Sequence, residues 1–170
     1  MRSILVASLL ALSALPAMAF AQTAPGCASP ESKQFDFWVG KWEVFPAGHP
    51  EVKVADSLIE KLYSGCAVRE NWMPLKGGGG GSLNAYVEAD HGWRQTWLDS
   101  GGQFADFKGG LQSKAMVIQG VWAQPGKPNQ ITRMTYTPLD DGSVEQAGQT
   151  SDDGGKTWQP SFDLIYRHPK

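Results

Sequence analysis

The sequence is poor in the residue types that carry most recognisable chemistry. Among 170 residues there are two cysteines and three histidines. His49, His91 and His168 are scattered along the chain, so no zinc-ligand spacing exists and no metal site is expected. Basic runs are missing too. Fifteen Lys and Arg stand against 17 Asp and Glu, a formal net charge of −2. That balance excludes a polyanion binder relying on bulk positive charge, and nucleic acid is not expected as a partner. No Gly-x-Ser-x-Gly elbow and no Cys–His pairing at a recognisable spacing supports a nucleophile. No Asn-x-Ser/Thr acceptor occurs, and helical periodicity is absent after the first two dozen residues. The apolar run Ile4 to Leu15 is too short for a membrane span, which needs about 20 apolar residues, so no membrane anchor is expected.

What that run does fit is a secretory signal peptide over residues 1–21. Met1-Arg2-Ser3 is a basic start, Pro16 breaks the run, and Ala17-Met18-Ala19 and Ala19-Phe20-Ala21 are both small-x-small cleavage sites. The expected location is periplasmic or secreted. Cys27 and Cys66 then meet an oxidising compartment, and one disulfide is the default. Closing that loop would contribute about 3–4 kcal/mol on the chain-entropy model. A lipid on Cys27 is disfavoured, because Ala24-Pro25-Gly26 lacks the expected Leu three residues upstream. Residues 22–34, rich in Ala, Pro, Ser and Gly, read as an N-terminal arm, and residues 35–168 as one domain.

From residue 35 onward, short β-branched and aromatic stretches alternate with Gly, Pro, Asn and Asp clusters. Strands are expected near 41–45, 52–62, 65–73, 83–88, 93–99, 103–108, 115–123, 131–137, 144–151 and 157–167. Ala89-Asp90-His91-Gly92, Asp99-Ser100-Gly101-Gly102, Gly109-Gly110 and Asp140-Asp141-Gly142 read as hairpin turns. Eight to ten strands joined by tight turns form an antiparallel up-and-down meander, and closing it into a barrel removes its exposed edges. The expected fold is therefore all-β. The run Gly77–Gly81 lacks the Lys-Ser/Thr and following helix of a phosphate loop and reads as a flexible loop at a barrel mouth.

Phe35-Asp36-Phe37-Trp38-Val39-Gly40-Lys41-Trp42 places four rings, a glycine and a strand entry in sequence. Gly40-Lys41-Trp42 resembles the Gly-x-Trp that opens the first strand of lipocalins and related calycins. The resemblance implies a short helical turn closing the barrel floor, and an Arg of the last strand, here Arg167, packed on Trp42. The longer pattern is similar to an uncharacterised family of bacterial exported proteins with lipocalin-like barrels. Gly65-Cys66, Ser82-Leu83-Asn84-Ala85-Tyr86, Trp93–Ser100 and Ser151–Trp158 carry that resemblance. Ser151-x-Asp153-x-Gly155-x-Thr157-Trp158 also satisfies the Asp-box of sialidases. A single copy reads as a hairpin turn in which Asp153 bonds turn amides and Trp158 packs beneath.

Strand alternation assigns candidate lumen positions. Glu70, Trp72, Asn84, Tyr86, Gln95, Trp97 and Asp99 each share a face of their strand with other members of the set. They offer flat apolar walls with a few hydrogen-bonding tips, as in a small-molecule pocket. The competing reading is a filled core with Asn84, Gln95 and Asp99 in water. Three functions follow. The leading one is a non-enzymatic carrier for a small, partly apolar or aromatic ligand. The second is an enzyme using Glu70 and Asp99 as an acid–base pair, and the third an envelope interaction module with a packed barrel. No cofactor is expected. Some small calycin barrels hold haem through one His, but His91 lies in a turn and His168 next to the C-terminus, and both read as solvated.

Overall fold

Side chains that alternate in and out along every strand leave a closed sheet as the economical way to bury one face of this chain. The computed structural model describes residues 27–170, and the expected signal peptide and the start of the arm lie outside the described residues. The strands are β1 Gly40–Pro46, β2 Ala55–Leu62, β3 Ala67–Pro74, β4 Gly80–Val87, β5 Gly92–Asp99, β6 Phe104–Gln112, β7 Ala115–Val121, β8 Ile131–Pro138, β9 Val144–Ser151 and β10 Gln159–Arg167. Each pairs antiparallel with its chain neighbours and β1 pairs with β10, which closes a ten-stranded barrel. The expected all-β barrel is therefore the fold. In β2, Ala55, Ser57 and Ile59 are buried, and in β8 Thr132, Met134 and Tyr136, each alternating with more exposed positions.

One end of the barrel is plugged by rings. Asp36–Trp38 forms a single 3-10 turn directly before β1, and it carries Phe35 and Trp38 into the interior, both buried. Their rings stack at 4.9 Å between centroids. Phe35 also meets Trp93 edge-on at 5.6 Å, and Trp38 meets Tyr136 at 4.7 Å and Tyr166 at 5.9 Å. Trp42 donates its indole N–H to the Trp38 carbonyl at 2.9 Å, tying the turn to β1.

The arm is stapled to this end. Cys27 and Cys66 form the expected disulfide, with Cα atoms 5.0 Å apart. Ser32 Oγ donates to the Cys27 carbonyl at 2.6 Å, and Lys61 pairs with Asp36. The arm's end is not wholly irregular, since Glu31–Lys33 forms a 3-10 turn.

Three expectations are corrected. Arg167 does not pack on Trp42. It pairs in register with Glu43, one step out of phase with the inward Tyr166, so its guanidinium lies 5.0 Å over the Phe45 ring and donates to the Pro50 carbonyl at 3.0 Å. His168 takes the place on Trp42, stacked at 4.0 Å with 24° between planes, while staying exposed to solvent as expected. Gly109-Gly110 is not a turn. Strand β6 runs through it to Gln112, paired with β7, and glycine is required at 109 because a Cβ would meet the Val117 carbonyl at 2.0 Å. The glycine run is only partly loop: Gly80 and Gly81 open β4 and pair with β3 and β5.

Reducing the disulfide, or replacing both cysteines by serine, is expected to lower the unfolding free energy by about 3–4 kcal/mol in urea titrations. An unchanged midpoint would show that the arm is held by its hydrogen bonds alone.

Candidate functional site

Strand alternation points Glu70 of β3 into the barrel, where only 5% of it stays exposed. A buried carboxyl must find donors or give up its charge. Ser57 Oγ donates to Oε1 at 3.2 Å and Ser82 Oγ to Oε2 at 3.3 Å, while the Tyr166 hydroxyl lies 3.4 Å from Oε1. From there hydrogen bonds run around the lumen. Asn84 donates to Ser82 Oγ at 3.0 Å, and Gln95 donates to Asn84 Oδ1 at 2.7 Å. Gln95 and Gln146 both donate to the Tyr136 hydroxyl, at 3.4 and 3.0 Å. Tyr166 donates to Gln146 Oε1 at 2.6 Å, which returns the chain to Glu70. Glu70, Ser82, Asn84, Gln95, Tyr136, Gln146 and Tyr166 thus form a closed circuit drawn from β3, β4, β5, β8, β9 and β10. Among the described residues, Trp38 Nε1 is the buried side-chain polar atom left without a partner.

Donor counting sets the charge state of this circuit. Tyr166 has one hydroxyl proton, and the 2.6 Å contact assigns it to Gln146. The remaining 3.4 Å contact to Glu70 is then a hydrogen bond only when Glu70 is the donor, that is, protonated. Burial pushes the Glu70 carboxyl up to about 7, and the donating hydroxyls of Ser57 and Ser82 pull it down by less. Burial and the Glu70 charge push the Tyr136 and Tyr166 phenols well above their ordinary range.

On the side away from the ring plug, the circuit floors a cavity of about 200 Å³. Glu70, Gln95, Tyr136, Gln146 and Tyr166 form its polar base, with Phe107 and Met134 beside them. Trp72, Trp97, Trp122, Phe162 and Leu164, all half-buried, make the walls. Trp97 and Trp122 pack at 6.0 Å and Trp72 faces Tyr166 at 6.3 Å. Trp122 is fixed by donating to Gln103 Oε1 at 3.0 Å. Gly80 makes the Trp97 position possible, since a Cβ there would stand 2.7 Å from the indole Cζ2.

The structure therefore brings Glu70, Trp72, Gln95 and Trp97 to one cavity. Asn84 lies in the circuit beneath it, and Tyr86 packs at the plugged end, 6.3 Å from Trp93. Asp99 does not join Glu70. Its Oδ1 accepts from the amides of Gly101 at 2.8 Å and Gln103 at 3.1 Å, capping the β5–β6 turn. The half of the cavity contributed by β6 to β10 escaped the sequence reading. Its signal was present as period-two series, Met134/Tyr136 and Phe162/Leu164/Tyr166, that point one way only once closure opposes them to β3–β5. Asp153 accepts from the amides of Lys156 and Thr157 at 3.0 and 2.9 Å, which lowers its carboxyl to about 2, with the Thr157 bonds contributing most. Trp158 donates to the Gly155 carbonyl and lies under Arg133, so this turn is structural and remote from the cavity lining.

Fold and cavity together define a closed antiparallel barrel whose interior is compatible with ligand binding. No family model matches the chain, and no curated protein matches it.

A folded-state carboxyl raised from an ordinary 4.5 to about 7 holds its proton more tightly than the unfolded chain does. Its penalty is absent below the unfolded value, builds between pH 4.5 and 7, and is complete above that window, at about 3 kcal/mol. Glu70→Gln is expected to be more stable than the parent by about that amount at pH 8, with the gap closing towards pH 4.5. Parallel stability–pH curves for the two proteins would contradict the buried carboxyl.

Proposed function

We propose that this protein is an exported, lipocalin-like barrel that binds a small, partly aromatic ligand and does not act as an enzyme. The observation that carries the reading is the cavity, with aromatic walls over a polar base. Its volume of about 200 Å³ exceeds the roughly 150 Å³ that accommodates benzene in an engineered cavity. A ligand of about ten non-hydrogen atoms is the matching size. The N-terminal run Ile4 to Leu15 and the Cys27–Cys66 disulfide support export. The 3-10 turn that plugs the floor before β1, with Trp42 against it, supports the likeness to lipocalins.

A buried carboxyl near neutrality is also what an acid–base catalyst needs, which favours the enzymatic alternative at Glu70. Against a pairing with Asp99, that residue lies outside the cavity lining, its carboxylate accepting from the Gly101 and Gln103 amides and from the Trp97 indole N–H. Among the described residues, Glu70 stands alone as the carboxyl of the cavity lining, an arrangement suited to orienting a ligand.

A thermal-shift and Trp-fluorescence screen of aromatic and aliphatic compounds of about this size tests the reading. At least one compound is expected to stabilise the protein and quench its emission, and Trp97→Ala, still folded by circular dichroism, to weaken that compound by about tenfold or more. A screen with no stabilising compound would count against a carrier and in favour of an interaction module.

A further inference from the structure

The cavity has an electrostatic sign that the pocket reading does not use. Among the described residues its lining contains no Lys, Arg or His, and Glu70 is its single charged group. Every direct partner of that carboxyl is a neutral hydroxyl, each at 3.2 Å or beyond. When Glu70 ionises, the Tyr166 proton is already held by Gln146 at 2.6 Å, so the carboxylate keeps two long hydrogen bonds and an unfilled side. Charge in such surroundings is poorly compensated unless a cation arrives. The walls supply a second attraction of the same sign. Trp72 follows Glu70 on the same face of β3 and meets Tyr166 at 6.3 Å, and ring faces draw cations placed within about 6 Å.

We propose that the ligand carries a protonated amine, seated on Glu70 between Trp72 and Tyr166, with an apolar or aromatic body against Trp97, Trp122 and Phe162. The proposal rests on the pocket reading and names the ligand class of that site. A compact arylalkylamine matches both the size and the polarity gradient. Its ammonium supplies the donors the carboxylate lacks, and its ring occupies the dry walls.

The pairing is proton-linked. Glu70 is faced by Ser57 from β2, Ser82 from β4, Tyr166 from β10, and Tyr136 and Gln146 across the lumen. The two tyrosines are the other titratable groups there, and burial keeps both neutral across the working range. Below neutrality the empty site holds a carboxylic acid, and docking an ammonium expels that proton to buffer. Above neutrality no proton moves.

Calorimetry with three probes of one shape decides the matter: 2-phenylethylamine, 2-phenylethanol and phenylacetate, on the parent and on Glu70→Gln. At pH 8 the amine is expected to bind the parent at least about tenfold tighter than the alcohol, with phenylacetate weakest. Its affinity should fall by up to about tenfold per pH unit below 7, with close to one proton released per ligand at pH 6 in paired buffers of different ionisation enthalpy. Glu70→Gln should reduce the amine's advantage to about twofold or less and abolish the proton release. Equal binding of alcohol and amine, or preference for phenylacetate, overturns the cation while leaving the pocket reading standing. An amine preference that survives in Glu70→Gln also overturns it. No binding by any of the three overturns it, and the broader screen then decides whether the pocket reading falls too.

Discussion

A carboxyl that strand alternation turns inward, among described lining residues that offer it no cation, constrains everything around it. Glu70 cannot turn out without flipping the alternation of β3, and it cannot ionise cheaply where it is. The structure meets this with a hydrogen-bonded circuit assembled largely from cross-strand partners. Glu70 pairs in register with Ser82, Asn84 with Gln95, and Tyr136 with Gln146. A one-residue slip in any of those pairings would carry a circuit member to the outer face. The polar ring thus specifies register as well as satisfying its own members.

The circuit also divides the interior into two regions with different physics. Towards the plugged end, Phe35, Trp38 and Trp93 are buried in the lumen, and Tyr136 and Tyr166 rest their rings on Trp38. Away from it, the same two tyrosines present their hydroxyls to a cavity with indole walls. Rings thus serve as filling below and as cavity wall above, with Trp72, Trp97 and Trp122 packed half-buried against the core that holds Trp38, Trp42 and Trp93. The disulfide and the Lys61–Asp36 pair hold the described part of the arm, residues 27–34, against the plugged end.

Much of this was legible in the residues. Hairpin chemistry at Asp140-Asp141-Gly142 and the Asp153 turn marked strand ends, and alternation put Glu70, Trp72, Gln95 and Trp97 on shared faces. What alternation leaves open is depth along the axis. Asp99 has the same parity as Gln95 and Trp97, yet it lies at the strand's end, where its carboxylate finds turn amides. Parity likewise separates His168 from Arg167, and only the β1–β10 register, fixed by closure, decides which of them meets Trp42. The cavity half built from β6–β10 was illegible for the same reason. Its residues become neighbours of Glu70 only after ten strands have closed, and a local bulge between Pro160 and Phe162 shifts the last strand.

If a buried, cation-poor carboxyl organises the barrel interior, its own titration shows it. Carbon-13 NMR of the full chain with labelled glutamate side chains, in which the Glu70 carboxyl is assigned by its absence from Glu70→Gln, reads that group alone. A midpoint near pH 7 is expected, well above the ordinary glutamate value of 4.5. A midpoint at the ordinary value near 4.5 would place the carboxyl in water and contradict the circuit.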